Sequence, residues 1–355
     1  MKAPWSRRGT AYARVALALA LSGAVGCGGP PRTPHEAHGT ARRGAALAVA
    51  EVAVVGDVIF DRDVYPRYPA AFPGGVTGLP DVTYATRTGF RPLTLDLYLP
   101  PHGPGAARRP FVVFVHGGAW LGGTKRTMGA FRNGPQVLAA IAARGYVVAS
   151  VDYRLAGEAP FPAAVRDVQD AIRYLRAHAD AYHVDEQRGA VWGASAGGQL
   201  ASLVAVTCVA PERVAAAAEP ATESGCVQAA VSWYAVADFR AATGPAERAF
   251  LRCETDACSP AERVREASPV AHVDRADPPF LLVHGVDDTT VPFEHSQALA
   301  DALVANGVDV ELVLLPGVGH GFLGRDREAT RQASLTALER TLAFLDRTIG
   351  RRRTR

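Results

Sequence analysis

The sequence predicts an α/β domain: a mostly parallel central sheet with helices on both faces and short surface insertions. Three observations carry this. Short apolar runs alternate with stretches of helical periodicity from about Asp81 to Leu345. The runs at 111–115, 146–151, 228–234 and 280–284 are apolar nearly throughout, as strands covered on both faces are. One further run, Val191-Trp192, stops at Gly193-Ala194-Ser195-Ala196-Gly197 and continues as a helical pattern, so a single serine stands on a strand-to-helix turn.

The chain of 355 residues is 48% hydrophobic and 21% charged, ordinary globular composition that excludes a disordered or repeat architecture. Lys2, Arg7, Arg8 and Arg14 supply four of the bases behind the formal charge of +3, and the N-terminal segment holding them has no acid. The remainder is close to neutral, which argues against a nucleic-acid partner. After those bases an apolar run at 15–25 leads to Gly26-Cys27. It is too short to span a bilayer, so residues 1–26 read as a secretory signal. Small residues running into a cysteine resemble the bacterial lipoprotein signal, which implies lipid attachment at Cys27 and membrane anchoring. Ala24 stands where that pattern usually has leucine, which leaves open ordinary cleavage to a periplasmic or extracellular product.

Residues 27–80 are expected to form a tether, rich in Gly, Pro, Arg and His to about residue 46, and then an extended arm lying on the domain. The domain is expected at 81–348. Alternation at 82–86 and 93–99 around Gly89 predicts an antiparallel pair, closed by Pro100 and Pro101. The strand at 111–115 runs into His116-Gly117-Gly118-Ala119-Trp120. Helical spacing at 136–144 ends at Gly145, and a second helix follows Pro160-Phe161-Pro162 to about His178. The helix after the serine covers 198–206, another 294–306, and an amphipathic helix at 328–345 closes the domain. The last strand is expected at 310–315, and residues 349–355 as a solvated basic tail.

Two stretches, about 207–227 and 239–277, break this rhythm and read as surface insertions. They hold Cys208, Cys226, Cys253 and Cys258, an even number in a chain read as exported. Proximity favours Cys208–Cys226 and Cys253–Cys258. Zinc is the alternative; the spacings fit no common zinc pattern, and no histidine lies between these cysteines. No phosphate loop, dinucleotide glycine motif or metal-ligand cluster is present, so neither a cofactor nor a metal is expected.

A serine hydroxyl attacks only when a base takes its proton and a third group orients that base. His320, in Gly319-His320-Gly321-Phe322 after the last strand, is the candidate base. Asp288, in His284-Gly285-Val286-Asp287-Asp288 past the strand before, is the candidate acid, with Asp287 as its competitor. The order Ser, Asp, His is that of α/β-hydrolases.

With these motifs, and with Asp152-Tyr153-Arg154-Leu155 and Pro278-Pro279-Phe280, the chain from about Asp81 to Leu345 resembles secreted α/β-hydrolase carboxylesterases. It is similar to the bifunctional acetylxylan/feruloyl esterase-like and hormone-sensitive-lipase-like groups. The resemblance implies Ser195 as nucleophile, His320 as base and Asp288 as its orienting acid. It also implies an oxyanion hole from the N–H groups of Ala196, Gly118 and Ala119, and esters of small or medium acyl groups as substrates. Ala119 and Ala194 depart from the lipase-like group and favour the acetylxylan/feruloyl side. Trp120 is expected either to line the substrate pocket or to pack under the oxyanion loop. His116 and His284 are expected to be structural, Asp152 and Arg154 to form a structural ion pair or a loop brace, and Asp238 is a remote alternative acid. A prolyl-oligopeptidase-like peptidase, an aryl formamidase and an inactive binding fold are the rival functions. Oligomeric state is left open.

Overall fold

The computed structural model describes residues 69–103, 105–208, 223–240, 244–252 and 260–350. Nine strands among them form one sheet in the order β1-β2-β3-β5-β4-β6-β7-β8-β9. The strands are β1 (Ala70–Phe72), β2 (Val76–Ala85), β3 (Leu93–Leu99), β4 (Arg109–Val115), β5 (Val147–Val151), β6 (Val184–Ala194), β7 (Ala229–Trp233), β8 (Phe280–Gly285) and β9 (Val310–Leu315). Pairing is antiparallel from β1 through β3 to β5, and parallel from β5 through β4 to β9.

Side-chain alternation decides what each face of the sheet meets. On β4, Phe111, Val113 and Val115 belong to one buried cluster, together with Leu175 of α2 (Ala163–Ala177) and Leu200 of α4 (Ala196–Val206). Leu299 of α7 (Glu294–Ala305) joins the same cluster. Val112 and Phe114 face the other cluster, with Leu138 of α1 (Gly134–Ala143) and Phe344 of α8 (Arg327–Thr348). Because β4 contributes to both, its run has no polar position to spare. Trp192 and Trp233 sit on the second face, edge to face at 4.7 Å, and anchor the two strands behind the serine.

Four boundaries differ from the sequence reading. The sheet begins at Ala70, ahead of Asp81, and β2 crosses the expected boundary between arm and domain. Pro80 misled because it lies where the pairing of β2 shifts register, between Leu79 and Val82, with Asp81 at φ 53°. Proline and a positive φ mark a bulge there rather than a strand end. Strand β6 starts at Val184, well before Val191, through a polar half that shows no apolar pattern. The insertion at 239–277 carries two short helices, α5 (Pro245–Phe250) and α6 (Pro260–Ala267). At the other end Ile349, expected in the tail, is buried in the second cluster, while 351–355 lie outside the described residues. The four-residue helix α3 (Ala179–Tyr182) completes the set.

Cys208 and Cys226 form a disulfide with Cα atoms 5.2 Å apart, tying the end of α4 to the approach to β7. Cys27, Cys253 and Cys258 lie outside the described residues. Among the described residues no helix is long and apolar enough to cross a membrane.

Asp152 and Arg154 do not pair with each other. Asp152 accepts from the Lys125 backbone N–H at 2.7 Å and from its Nζ at 2.5 Å, pinning the loop after the His-Gly-Gly segment. Arg154 forks onto Asp167 at 2.7 to 3.1 Å, bracing the start of α2. Each is a brace, but to a different neighbour.

Just before β8, half-buried Asp277 has its pKa pushed up to about 6, because burial penalises the charge and Asp274 adds repulsion. A carboxyl raised in the folded state contributes fully below its ordinary 3.8 and loses that contribution as pH rises through about 6. Asp277→Asn keeps an acceptor for the Asp274 N–H at 2.9 Å. It is expected to raise Tm at pH 7 by about 1–3 °C, allowing for solvent screening, and by less at pH 4. A thermal melt at the two pH values checks this; an unchanged Tm at pH 7 would contradict it.

Candidate active site

The elbow follows from a geometry that only a tight strand-to-helix turn gives. Ser195 has φ 55° and ψ −122°, a strained conformation for a residue with a side chain. It is held by its N–H donating to Trp233 O at 2.8 Å and its carbonyl accepting from Gln199 N at 3.0 Å. Two glycines allow the neighbouring segments to close around it. A Cβ on Gly197 would lie 2.1 Å from Val115 O, so the first turn of α4 rests directly on the end of β4. A Cβ on Gly117 would lie 2.8 Å from Ala194 O and 3.2 Å from Ser195 Cβ. The His-Gly-Gly loop therefore lies against the serine.

Ser195 Oγ is 2.9 Å from His320 Nε2, and His320 Nδ1 is 2.7 Å from Asp288 Oδ2. With a carboxylate on Nδ1, the ring proton sits there and the Nε2 lone pair faces the hydroxyl. The three expected residues are thus brought together at the ends of β6, β8 and β9. Asp287 is exposed, whereas Asp288 is 5% exposed. Asp238 pairs with Arg240 instead, at 2.6 Å.

Asp288 is charged despite its setting. Burial raises its pKa, but hydrogen bonds from His284 and His320 and from the Val291 N–H outweigh it and hold the carboxyl well below the usual range. Its other oxygen accepts from the N–H groups of Thr290 and Val291, both at 2.9 Å. His284 and His116 are fully buried. His116 stacks on Tyr153 at 4.4 Å with Nδ1 2.7 Å from Gly117 O, and burial lowers its pKa.

Gly118, Ala119 and Trp120 all have positive φ, at 123°, 54° and 58°. Among the described residues, no backbone carbonyl accepts from the N–H of Gly118 or Ala119. Ala196 opens α4, where the first N–H groups have no partner within the helix. Trp120 is 2% exposed, stacked on Phe250 at 4.7 Å, and its Nε1 donates to Gln199 Oε1 at 3.0 Å. Of its two expected roles, packing under the loop is the one with contacts. Gln199 in turn donates to Ala267 O at 2.9 Å, so the loop, α4 and the second insertion share one buried brace.

Tyr234 escaped the sequence reading. It is buried, with φ 38°, and its ring meets the His320 imidazole edge to face at 4.9 Å. Phe322, at φ 60°, packs on Tyr234 at 4.6 Å and on Trp233 at 5.2 Å, anchoring the loop that carries His320. An aromatic pair at the end of the strand beside the elbow was the available signal. Among the described residues no cluster of three His, Cys, Asp or Glu side chains could hold a metal ion.

A serine, a histidine and a carboxylate linked at the ends of parallel strands, on an open sheet wound on both faces, belong to the α/β-hydrolase fold. The BD-FAE family pattern matches residues 95–303, and the chain belongs to that family. It is 35% identical over 222 residues to the esterase LipC of Mycobacterium tuberculosis, covering 60% of this chain and 53% of that protein. With the esterase LipQ of the same organism it shares 30% identity over 307 residues, 80% of this chain and 69% of the relative. The chain thus spans about half the length of LipC. The apo form of Thermogutta terrifontis esterase 2 superposes with a TM-score of 0.62 at 31% identity, covering 79% of this chain and 97% of that one.

Proposed function

We propose that the chain hydrolyses carboxylic esters of small or medium acyl groups through an acyl-enzyme on Ser195. The observation that carries this is the continuous chain from Ser195 Oγ through His320 to Asp288, at 2.9 and 2.7 Å. Esterase relatives of the same fold support it. In this reading Oγ bonds to the ester carbonyl carbon as its proton passes to His320 Nε2. The carbonyl electron pair moves to oxygen, held by the N–H groups of Gly118, Ala119 and Ala196. Collapse breaks the bond to the alcohol oxygen, which leaves with the proton from Nε2. Water then repeats the sequence on the acyl-serine and releases the acid. Asp288 stays ionised and stabilises the imidazolium between transfers.

Leu121, Val286 and Leu323 are large exposed apolar residues, and each stands on a loop that carries Ala119, Asp288 or His320. Apolar side chains on these loops suit an uncharged acyl or alcohol group. Turnover of a chromogenic series from acetate to octanoate, with feruloyl and acetylated-sugar esters alongside, tests the reading. Activity that peaks on short acyl groups supports it, and a folded enzyme that turns over no ester would overturn it.

The proposal extends to location: export, with lipid attachment at Cys27, as the Gly26-Cys27 junction after a short apolar run supports. Labelled palmitate is expected to enter the wild-type chain in cells and not Cys27→Ser. Absence of label in the wild type would leave a soluble exported product instead.

A further inference from the structure

His284 lies deeper than the three linked residues, and the structure gives it more to do than end a strand. It is 0% exposed at the end of β8. Its Nε2 is 2.9 Å from Val291 O and 3.4 Å from Asp288 Oδ2, the same oxygen that His320 holds. Both neighbours of Nε2 are acceptors, so this nitrogen carries a proton; Val291 O is its shorter partner and Asp288 Oδ2 its longer one. Its Nδ1 is 2.7 Å from Ser296 Oγ on α7, and that hydroxyl donates to it when the ring is neutral. Four linked groups thus continue from the serine into the interior: half-buried His320, then buried Asp288, His284 and Ser296.

We propose that His284 is a positioning residue: its Nε2–H shares Asp288 Oδ2 with His320, fixing the carboxylate and dividing its charge between two imidazoles. This rests on the reading of Ser195, His320 and Asp288 given above. A carboxylate with one oxygen held by two backbone N–H groups and the other by two imidazoles has no free rotation. It meets His320 in one orientation. The second donor also tempers how strongly Asp288 holds the proton on His320.

The charged and titratable groups around the pair are few. His295 lies on α7, its Nδ1 3.4 and 3.3 Å from the N–H groups of Ala237 and Asp238. Asp238, Glu294 and Glu247 face His295 in turn. His320 lies across Asp288, and the buried Tyr234 phenol, its pKa raised by burial and by the Asp288 charge, packs against the His320 ring.

Removing the His284 donor leaves the whole carboxylate charge to His320, so the imidazolium is held more tightly and titrates at higher pH. His284→Leu removes the donor, and His284→Gln restores an amide N–H near the former Nε2. Ser296→Ala keeps the imidazole but frees its far side.

The experiment reads the His320 ring by NMR over a pH series, in wild type and in the three variants. It needs no turnover, so a failed esterase reading and a failed role for His284 are told apart. In His284→Leu the titration is expected to move up by about 0.5–1 unit, with His284→Gln returning most of the way. On an ester, kcat is expected to fall about 10- to 100-fold in His284→Leu, with KM little changed. Should that variant fail to fold, Ser296→Ala is expected to show a smaller upward shift. A folded His284→Leu with the wild-type titration and kcat would overturn the proposal, as would a Ser296→Ala titration that stays put when the leucine variant cannot be obtained. A His284→Gln variant no better than leucine would also overturn it, since volume alone would then explain the loss.

Discussion

Ser195→Ala is expected to lower kcat on a chromogenic ester by about 10⁴–10⁶-fold while leaving the fold intact. Alanine removes one oxygen and leaves the backbone as strained as before, since φ 55° suits neither residue. The N–H donation to Trp233 O does not involve the side chain. A fluorophosphonate probe is expected to label the wild type and not the variant, and circular dichroism checks that both are folded. A variant within tenfold of wild type would remove Ser195 from the chemistry and leave the elbow as architecture.

The second large effect is expected from Asp288→Asn, a fall in kcat of about 10³–10⁴-fold with a smaller change in KM. The amide has nearly the volume of the carboxylate, so packing among Thr290, Val291, His284 and His320 is kept. What changes is the demand on His320. Without a charged acceptor at Nδ1, the ring loses both its fixed tautomer and the partner for its charged form. The acid limb of kcat/KM should therefore move to lower pH as the rate falls.

Stability moves in a linked way. Because the folded state holds the Asp288 carboxyl below its ordinary 3.8, the wild type keeps this contribution above that pH. It loses the contribution as pH falls through the lower folded value. The asparagine variant has no such acid-dependent loss, so its Tm should vary less below pH 4 than the wild type's. Kinetics and melts on one preparation check both parts, and an asparagine variant with wild-type kcat would exclude Asp288 as the orienting acid.

The parts of the fold legible in the sequence were those where one residue's neighbours in the chain decide its fate. Phe111 to Val115 are apolar at every position because both faces of β4 are covered, and that needs no knowledge of the partners. The same holds for Gly193 and Gly197 around Ser195, where the turn itself excludes side chains. Strand β1 was illegible because it is three residues of an edge, largely exposed. The first half of β6 was illegible because Asp185, Glu186 and Arg188 occupy it. Ser195, Asp288 and His320 could be named from local motifs, whereas Tyr234, Gln199 and the sharing of Asp288 by His284 depend on which segments meet in space. Asp152 and Arg154 show the same limit: two residues apart in the chain, they brace a loop through Lys125 and a helix through Asp167.

The linked residues come from far apart in the chain, with 125 positions between Ser195 and His320 and 32 between His320 and Asp288. They stand past the ends of β6, β8 and β9, with β7 paired between the first two. Such contacts form late, after the loops between them have closed, and they are absent from any collapsed chain whose C-terminal third has not docked. On the proposed reading, turnover therefore belongs to the finished molecule. On the proposed esterase reading, a half-folded chain carries the serine without its base and acid, and turnover during refolding is expected to return after secondary structure does.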